Sequence, residues 1–377
     1  MHTALPILHE RWLGWYLHNA LSSASGDQLV QSVRQYLVYL KPAASARRLA
    51  EYSTFALENQ KLAGRRRSFL RFLAKYADRP DPVDPVVAQN LGFMRDAFRL
   101  DDTDVAILEL ATNAGVIAHL DMFADNLCGT LRNPARSIGA LTGVDPVIVA
   151  RRIATTAPLR TCGLVMINPG GRMFFGDGDD EPMLGLAPKI HRVLLTPHDT
   201  LADLTAEILG QPCQAKLGWD DFAHIPEADM AAAVLRAAAA CAERGIHVML
   251  VGIPGTGKTE LAKPLAAQAG LSLYAAGEDE NESGKEPTRS ERSASLRLTM
   301  ALLGNRRDAA VLLDEAEDVL DSTRSFGAQR DAFSKAFLHR VLESSPVPVI
   351  WTCNHIDWME PANPAPHDVG AADRSTE

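Results

Sequence analysis

The chain has 377 residues, 46% apolar and 23% charged, with a net charge of −9; two or three domains are expected, and a disordered or fibrous chain is excluded. No apolar run reaches the roughly 18 residues of a membrane span, and the start carries Glu10 and Arg11 where a secretory signal needs apolar residues. Five scattered cysteines, odd in number and without a C-x-x-C pair, speak against a disulfide framework or zinc site and for a reducing, cytoplasmic location.

The charge is uneven. Residues 1–80 hold 12 Lys/Arg against 5 Asp/Glu, so the remainder is strongly acidic. A basic segment of this kind suits nucleic acid, an anionic surface, or the acidic rest of its own assembly. Within it, "LPILHERWLGWYLHNAL", "DQLVQSVRQYLVYL" and "RRRSFLRFLAKYA" carry apolar residues three and four apart and are expected as helices. Arg65, Arg66 and Arg67 read as a solvated helix face. "DRPDPVDP" (78–85), with three prolines in eight residues, reads as a linker or domain boundary.

Residues 86–115 are expected to be helical, with Asp101 or Asp102 as an N-cap. "PARSIGALTGVDPVIVARRIATTAPL" offers helix, turn and helix. "GLVMINPGGRMFF" (163–175) places two strand-like runs around Pro169-Gly170-Gly171, a hairpin signal. That order is winged-helix-like. A DNA-reading version would put Arg151 and Arg152 on the recognition helix, but few other basic residues accompany them, so packing against protein is preferred. "GDGDDEP" (176–182) reads as a solvated acidic loop, since it lacks the spacing of a calcium loop. Residues 183–226 are ambiguous apart from a helix at "LADLTAEILG".

From Glu227 the pattern sharpens. An Ala-rich helix ending at Gly245 precedes "IHVMLV" (246–251), a run suited to a strand buried on both faces. It enters "GIPGTGKT" (252–259) and then a helix, the context a phosphate-binding loop requires. Gly252, Gly255 and Gly257 let the backbone curl so that its amides face oxygen anions, at the positive end of a helix. Lys258 is expected on the β and γ phosphates and Thr259 on Mg²⁺. "AAVLLDEAEDVL" (309–320) ends an apolar strand in Asp314-Glu315. Placed beside the loop strand, Asp314 would hold Mg²⁺ and Glu315 would act as general base on the attacking water. A third strand, "VPVIWTCN" (347–354), ends in Asn354, whose amide can orient that water or contact the γ-phosphate.

In this order and spacing, Gly252–Thr259, Asp314-Glu315 and Thr352-Cys353-Asn354 resemble the Walker A, Walker B and sensor-1 motifs of an AAA+ ATPase. The resemblance covers about 227–361. It implies an α/β P-loop NTPase core, an αβα sandwich on a parallel sheet, preceded by a mainly helical region with a winged-helix-like module. It also implies ATP and Mg²⁺ as cofactors, a homo-oligomer and a protein client. Nucleotide contacts carry over to Gly252, Ile253, Pro254, Gly255, Thr256, Gly257, Lys258, Thr259 and Glu260, metal contacts to Thr259 and Asp314, and catalysis to Glu315, Asn354 and Lys258. The expected divisions are a basic helical region (1–80), the winged-helix-like module (86–182), a connecting segment (183–226), the ATPase core (227–361) and a disordered tail (362–377).

Two departures qualify the resemblance. "EDENESGKEPTRSER", after the second core strand, lacks the aromatic pore loop of polypeptide-threading relatives. After "MEPA" (359–362) the pattern that leads to an arginine finger and a helical lid is lost. Read one base later, the codons for residues 363–368 permit (Ile/Thr)-Leu-Arg-Arg, so a frame change and a longer natural protein are expected. Three functions follow: an ATPase that remodels a protein partner, a nucleotide-binding remnant that turns over little, and a winged-helix DNA regulator with an ATPase switch.

Overall fold

The computed structural model describes residues 5–40, 62–168, 182–277, 288–304, 306–320, 343 and 345–355. Its first part is helical where the three-and-four spacing calls for it: α1 (Leu5–Ser22), α2 (Gly26–Tyr36) and α3 (Leu62–Leu73). α1 turns back into α2 at Gly26, where a Cβ would run into the Leu21 carbonyl oxygen. Arg66 closes this corner: its guanidinium donates to the carbonyls of Leu21 at 2.7 Å and Ser23 at 2.9 Å. It is a structural cap for the end of α1, not part of a solvated face.

The proline-rich stretch packs on α1, since Val83 is buried and Trp12 Nε1 donates to the Asp81 carbonyl at 2.8 Å. Four helices follow: α4 (Pro85–Phe98), α5 (Asp102–Val116), α6 (Leu120–Leu131) and α7 (Pro134–Thr142). Asp84 caps α4 with Pro85 in its first turn, and α5 starts on a capping box between Asp101 and Asp104. Gly143 ends α7 in the left-handed region, and α8 (Pro146–Arg152) starts on an Asp145 cap. Arg152 pairs with Asp101 and, at 3.7 Å, with Asp104. It ties α8 to the start of α5.

After a one-turn helix, α9 (Pro158–Thr161), comes β1 (Val165–Ile167). Its antiparallel partner among the described residues is β2 (Leu184–Leu186); residues 169–181, which include the second run of the expected hairpin and the acidic residues of the loop after it, lie outside the described residues. β2 is placed by a distant contact: Met183 N donates to Asp125 Oδ1 on α6 at 2.7 Å. No local pattern encodes that. α10 (Pro188–Leu195) and α11 (Leu201–Leu209) complete this part. One apolar cluster runs from Trp12 to Ile208 and takes in Ala294 and Leu298 from the core that follows.

That core comprises α12 (Glu227–Cys241), β3 (His247–Val251), α13 (Lys258–Gln268), β4 (Ser272–Ala275), α14 (Arg289–Leu303), β5 (Ala309–Leu313), α15 (Glu317–Leu320) and β6 (Val349–Cys353). α12 stops at Cys241 on a left-handed Ala242, three residues before Gly245, which is itself left-handed at φ 71°. The four strands are parallel in the order β3-β6-β5-β4. Ala310, Leu312 and Ile350 pack with Leu235, Ala262 and Leu265 of α12 and α13 on one face. Val311, Leu313, Val349 and Trp351 pack with Leu296, Met300 and Leu303 of α14 on the other. The αβα sandwich is thus built by alternation along continuously apolar strands. β3 departs from expectation: it has a neighbour on one edge only among the described residues, and its residues are half-buried or, at Val251, exposed.

Candidate functional site

The site lies where β3, β5 and β6 end. After Val251 the chain turns through 252–257 into α13. Gly255 and Gly257 have φ of 82° and 83°, a region where L side chains are strained. Gly252 is not among the positive-φ residues; its glycine is explained by proximity, since a Cβ there would sit 3.1 Å from Thr256 Oγ1. Gly257 caps α13 with no side-chain acceptor, so the first-turn amides of that helix are left to a ligand or solvent. Ile253 is exposed, and Thr256 Oγ1 donates to its carbonyl at 2.9 Å.

Lys258 reaches back over the loop. Its Nζ donates to the carbonyls of Gly252 at 2.8 Å and Ile253 at 3.1 Å, and to Asn354 Oδ1 at 3.0 Å. Thr259 Oγ1 lies 2.9 Å from both carboxylate oxygens of Asp314, which also takes the Thr352 hydroxyl. The strand bearing Asp314 is not beside the loop strand, as the sequence reading had it. β6 lies between them, and the twisted sheet brings the ends of all three together. Glu260 turns aside to Lys263 at 2.6 Å, and that hydrogen bond holds its carboxyl below the usual range.

Glu315 has an exposed side chain and a left-handed backbone, φ 49°. Its N–H donates to Thr352 Oγ1 at 3.1 Å. Arg292, from α14, sets its guanidinium on the Asp314 carbonyl, 3.5 Å from the Glu315 carbonyl and 3.4 Å from Asp318. Sequence reasoning passed over both Arg292 and Glu317. Glu317 is buried and accepts from Asn354 N at 3.2 Å and Asn354 Nδ2 at 2.6 Å. Burial pushes its carboxyl up, but bonds from its own backbone, Cys353 and Asn354 outweigh this and leave it below the usual value. Little in the sequence could have found it: Glu317 is one acid among Asp314, Glu315 and Asp318, and nothing local marks it as the buried one.

Backbone amides at a helix start, a lysine and a hydroxyl–carboxylate pair therefore converge at the ends of three parallel strands. Residues 248–368 match the family model described as "ATPase family associated with various cellular activities (AAA)". The chain carries an AAA domain of the AAA+ ATPase family. Neither the curated proteins nor the solved structures give a significant match. The AAA domain supports ATP binding and gives this part of the chain a P-loop NTPase fold. Its match spans the loop, the Asp314 strand and the Asn354 strand, and runs into residues 356–368, outside those described, as are 278–287 of the expected pore-loop position. No helix among the described residues is long and apolar enough to cross a membrane.

Proposed function

We propose that this chain binds Mg-ATP and hydrolyses it to ADP and phosphate, as a cytoplasmic homo-oligomer that couples turnover to the remodelling of a protein partner. The observation that carries the reading is the convergence of three separate segments at one place: Lys258 bonds to Asn354, and its neighbour Thr259 bonds to Asp314, which also takes the Thr352 hydroxyl. The amides around Gly255 and Gly257 and the start of α13 hold the phosphate oxygens. Lys258 exchanges its carbonyl partners for the β and γ phosphates, a gain because charge-assisted bonds to phosphate exceed those to neutral carbonyls.

The Thr259 hydroxyl and the Asp314 carboxylate are hard oxygen donors 2.9 Å apart, a set that fits Mg²⁺. Bound there, the cation would offset the negative charge of the transferred phosphoryl group. Glu315 removes a proton from water as its oxygen forms a bond to the γ-phosphorus. The bond from that phosphorus to the β–γ bridging oxygen breaks, and ADP leaves with the electron pair. Arg152, engaged with Asp101 and Asp104, is not free to read bases, which favours a protein partner over duplex DNA. Phosphate release from Mg-ATP by the full chain tests the proposal, with Lys258→Ala as control. Release that is absent in the wild type, or unchanged in the variant, would refute it.

A further inference from the structure

Asn354 stands between two groups of opposite charge. Its Oδ1 is 3.0 Å from Lys258 Nζ, and its Nδ2 is 2.6 Å from Glu317 Oε1. A primary amide can turn over with almost no change in shape, so its direction is set by its neighbours. Turned over here, it would set an NH₂ against an ammonium and a carbonyl against a carboxylate. An ammonium only donates and an ionised carboxylate only accepts, so both contacts would become repulsive.

The two neighbours are not equivalent. Lys258 is a long, mobile side chain whose other partners are loop carbonyls, and phosphate draws it away. Glu317 is 5% exposed, sits on α15 immediately after the Asp314 turn, and also accepts from the Asn354 backbone at 3.2 Å. It stays in place when Lys258 moves.

We propose that Glu317 is a positioning residue that locks the Asn354 amide with Oδ1 facing the phosphate side. Asn354 then serves as a hydrogen-bond acceptor for the attacking water and not as a donor to the γ-phosphate. The catalytic consequence rests on the ATPase reading above, whereas the amide direction rests on the geometry alone. The lock also explains why a carboxylate is kept buried beside a polar strand end. Glutamine at this position could offer either an oxygen or an NH₂ and would leave both amide directions open.

Two measurements on the full chain test this. In the first, kcat and KM for ATP are compared in the wild type, Glu317→Gln, Asn354→Ala and the double variant. Glu317→Gln is expected to lower kcat about tenfold with KM changed less than about twofold, and to add no further loss in the Asn354→Ala background. Equal losses in both backgrounds would overturn the proposal. In the second, the chain is labelled with ¹⁵N-asparagine and the Asn354 side-chain signal is assigned with Asn354→Asp. One of its two amide protons is expected to be displaced and slow to exchange in the wild type; two ordinary protons would overturn the lock even if the variants fail to fold. That signature in a chain with no ATP turnover would sustain the lock and refute the ATPase reading.

Discussion

Thr259 Oγ1 stands 2.9 Å from both carboxylate oxygens of Asp314, although β6 lies between the strands that deliver them. The neighbour that steers this carboxylate is Thr352, on that intervening strand, whose hydroxyl donates to Asp314 Oδ1. Thr352→Val keeps the shape and removes both the donor to Asp314 and the acceptor of the Glu315 N–H, so the maximal rate should fall as well, and the magnesium midpoint is the readout specific to the carboxylate. Because groups that orient a metal ligand typically matter by about 10- to 100-fold in metal affinity, the Mg²⁺ concentration for half-maximal turnover should rise by about that factor. Nucleotide binding measured without Mg²⁺ should not change. A magnesium titration of ATPase rate checks this, and an unshifted midpoint contradicts it.

Glu315→Gln should leave ATP binding intact and lower turnover by about 10²- to 10⁴-fold, the usual reach of a general base. The amide preserves the size of the side chain, and the backbone bond from Glu315 N to Thr352 Oγ1 is unaffected. Filter binding of labelled ATP beside single-turnover hydrolysis separates the two effects. Equal losses in both would place Glu315 in binding instead.

How much of this was legible depended on how local each constraint is. Gly255 and Gly257 were readable because a left-handed backbone admits little else, and Asp101 because a capping acid must stand next to the helix it caps. Strand order was not readable. Nothing within β5 says that β6 will insert beside the loop strand, and the partner of β1 depends on Asp125, 58 residues before Met183. Arg66 and Glu317 were missed for the same reason: a charge run looks solvated until the carbonyls it caps are folded next to it, and a buried acid looks like a turn acid until its amide partner arrives.

In the helical part, Glu109 is buried, and burial pushes its carboxyl above the ordinary value of 4.5 against the pull of Arg79 at 2.6 Å. The native chain therefore binds more protons than the unfolded one between those two values. Stability from this group is complete below the unfolded value and declines as pH rises toward the folded one. Glu109→Gln removes the titration, so the variant should gain on the wild type from about pH 4.5 upward and level off above the folded value. Urea unfolding from acid to neutral pH reads this directly. A difference that does not vary with pH would refute it.

Asn90 is fully buried and its Nδ2 donates to the carbonyls of Val193 and Leu194 at 3.1 Å and Thr196 at 2.8 Å, closing the end of α10. Its Oδ1 faces His198 Nδ1 at 3.3 Å. Asn90→Ala leaves buried acceptors without this donor and should destabilise the helical part by about 3 kcal/mol. A lowered urea midpoint at constant slope checks it. A change below about 0.5 kcal/mol, the range of ordinary surface substitutions, would show that solvent satisfies those carbonyls.

The turn that presents Glu315 is the last point at which the fold bears on chemistry. A non-glycine residue at φ 49° carries strain of roughly 1–3 kcal/mol and persists only where its surroundings over-determine it. Two neighbours do so: Thr352, which accepts the Glu315 N–H, and Arg292, whose guanidinium spans the Asp314 and Glu315 carbonyls and Asp318. Only Arg292 comes from outside the strands, on α14. Arg292→Met keeps the aliphatic stem and removes all three contacts, so the turn should relax toward an ordinary backbone and carry the Glu315 carboxylate away from the water we propose it activates. Expected is a fall in kcat of about tenfold or more with ATP affinity nearly unchanged, because a misplaced base costs the chemical step and not binding. Lysine at the same position restores charge but not the planar fork, and should recover little. Full recovery with Arg292→Lys would show that charge alone, and not the geometry of the turn, is what Arg292 supplies.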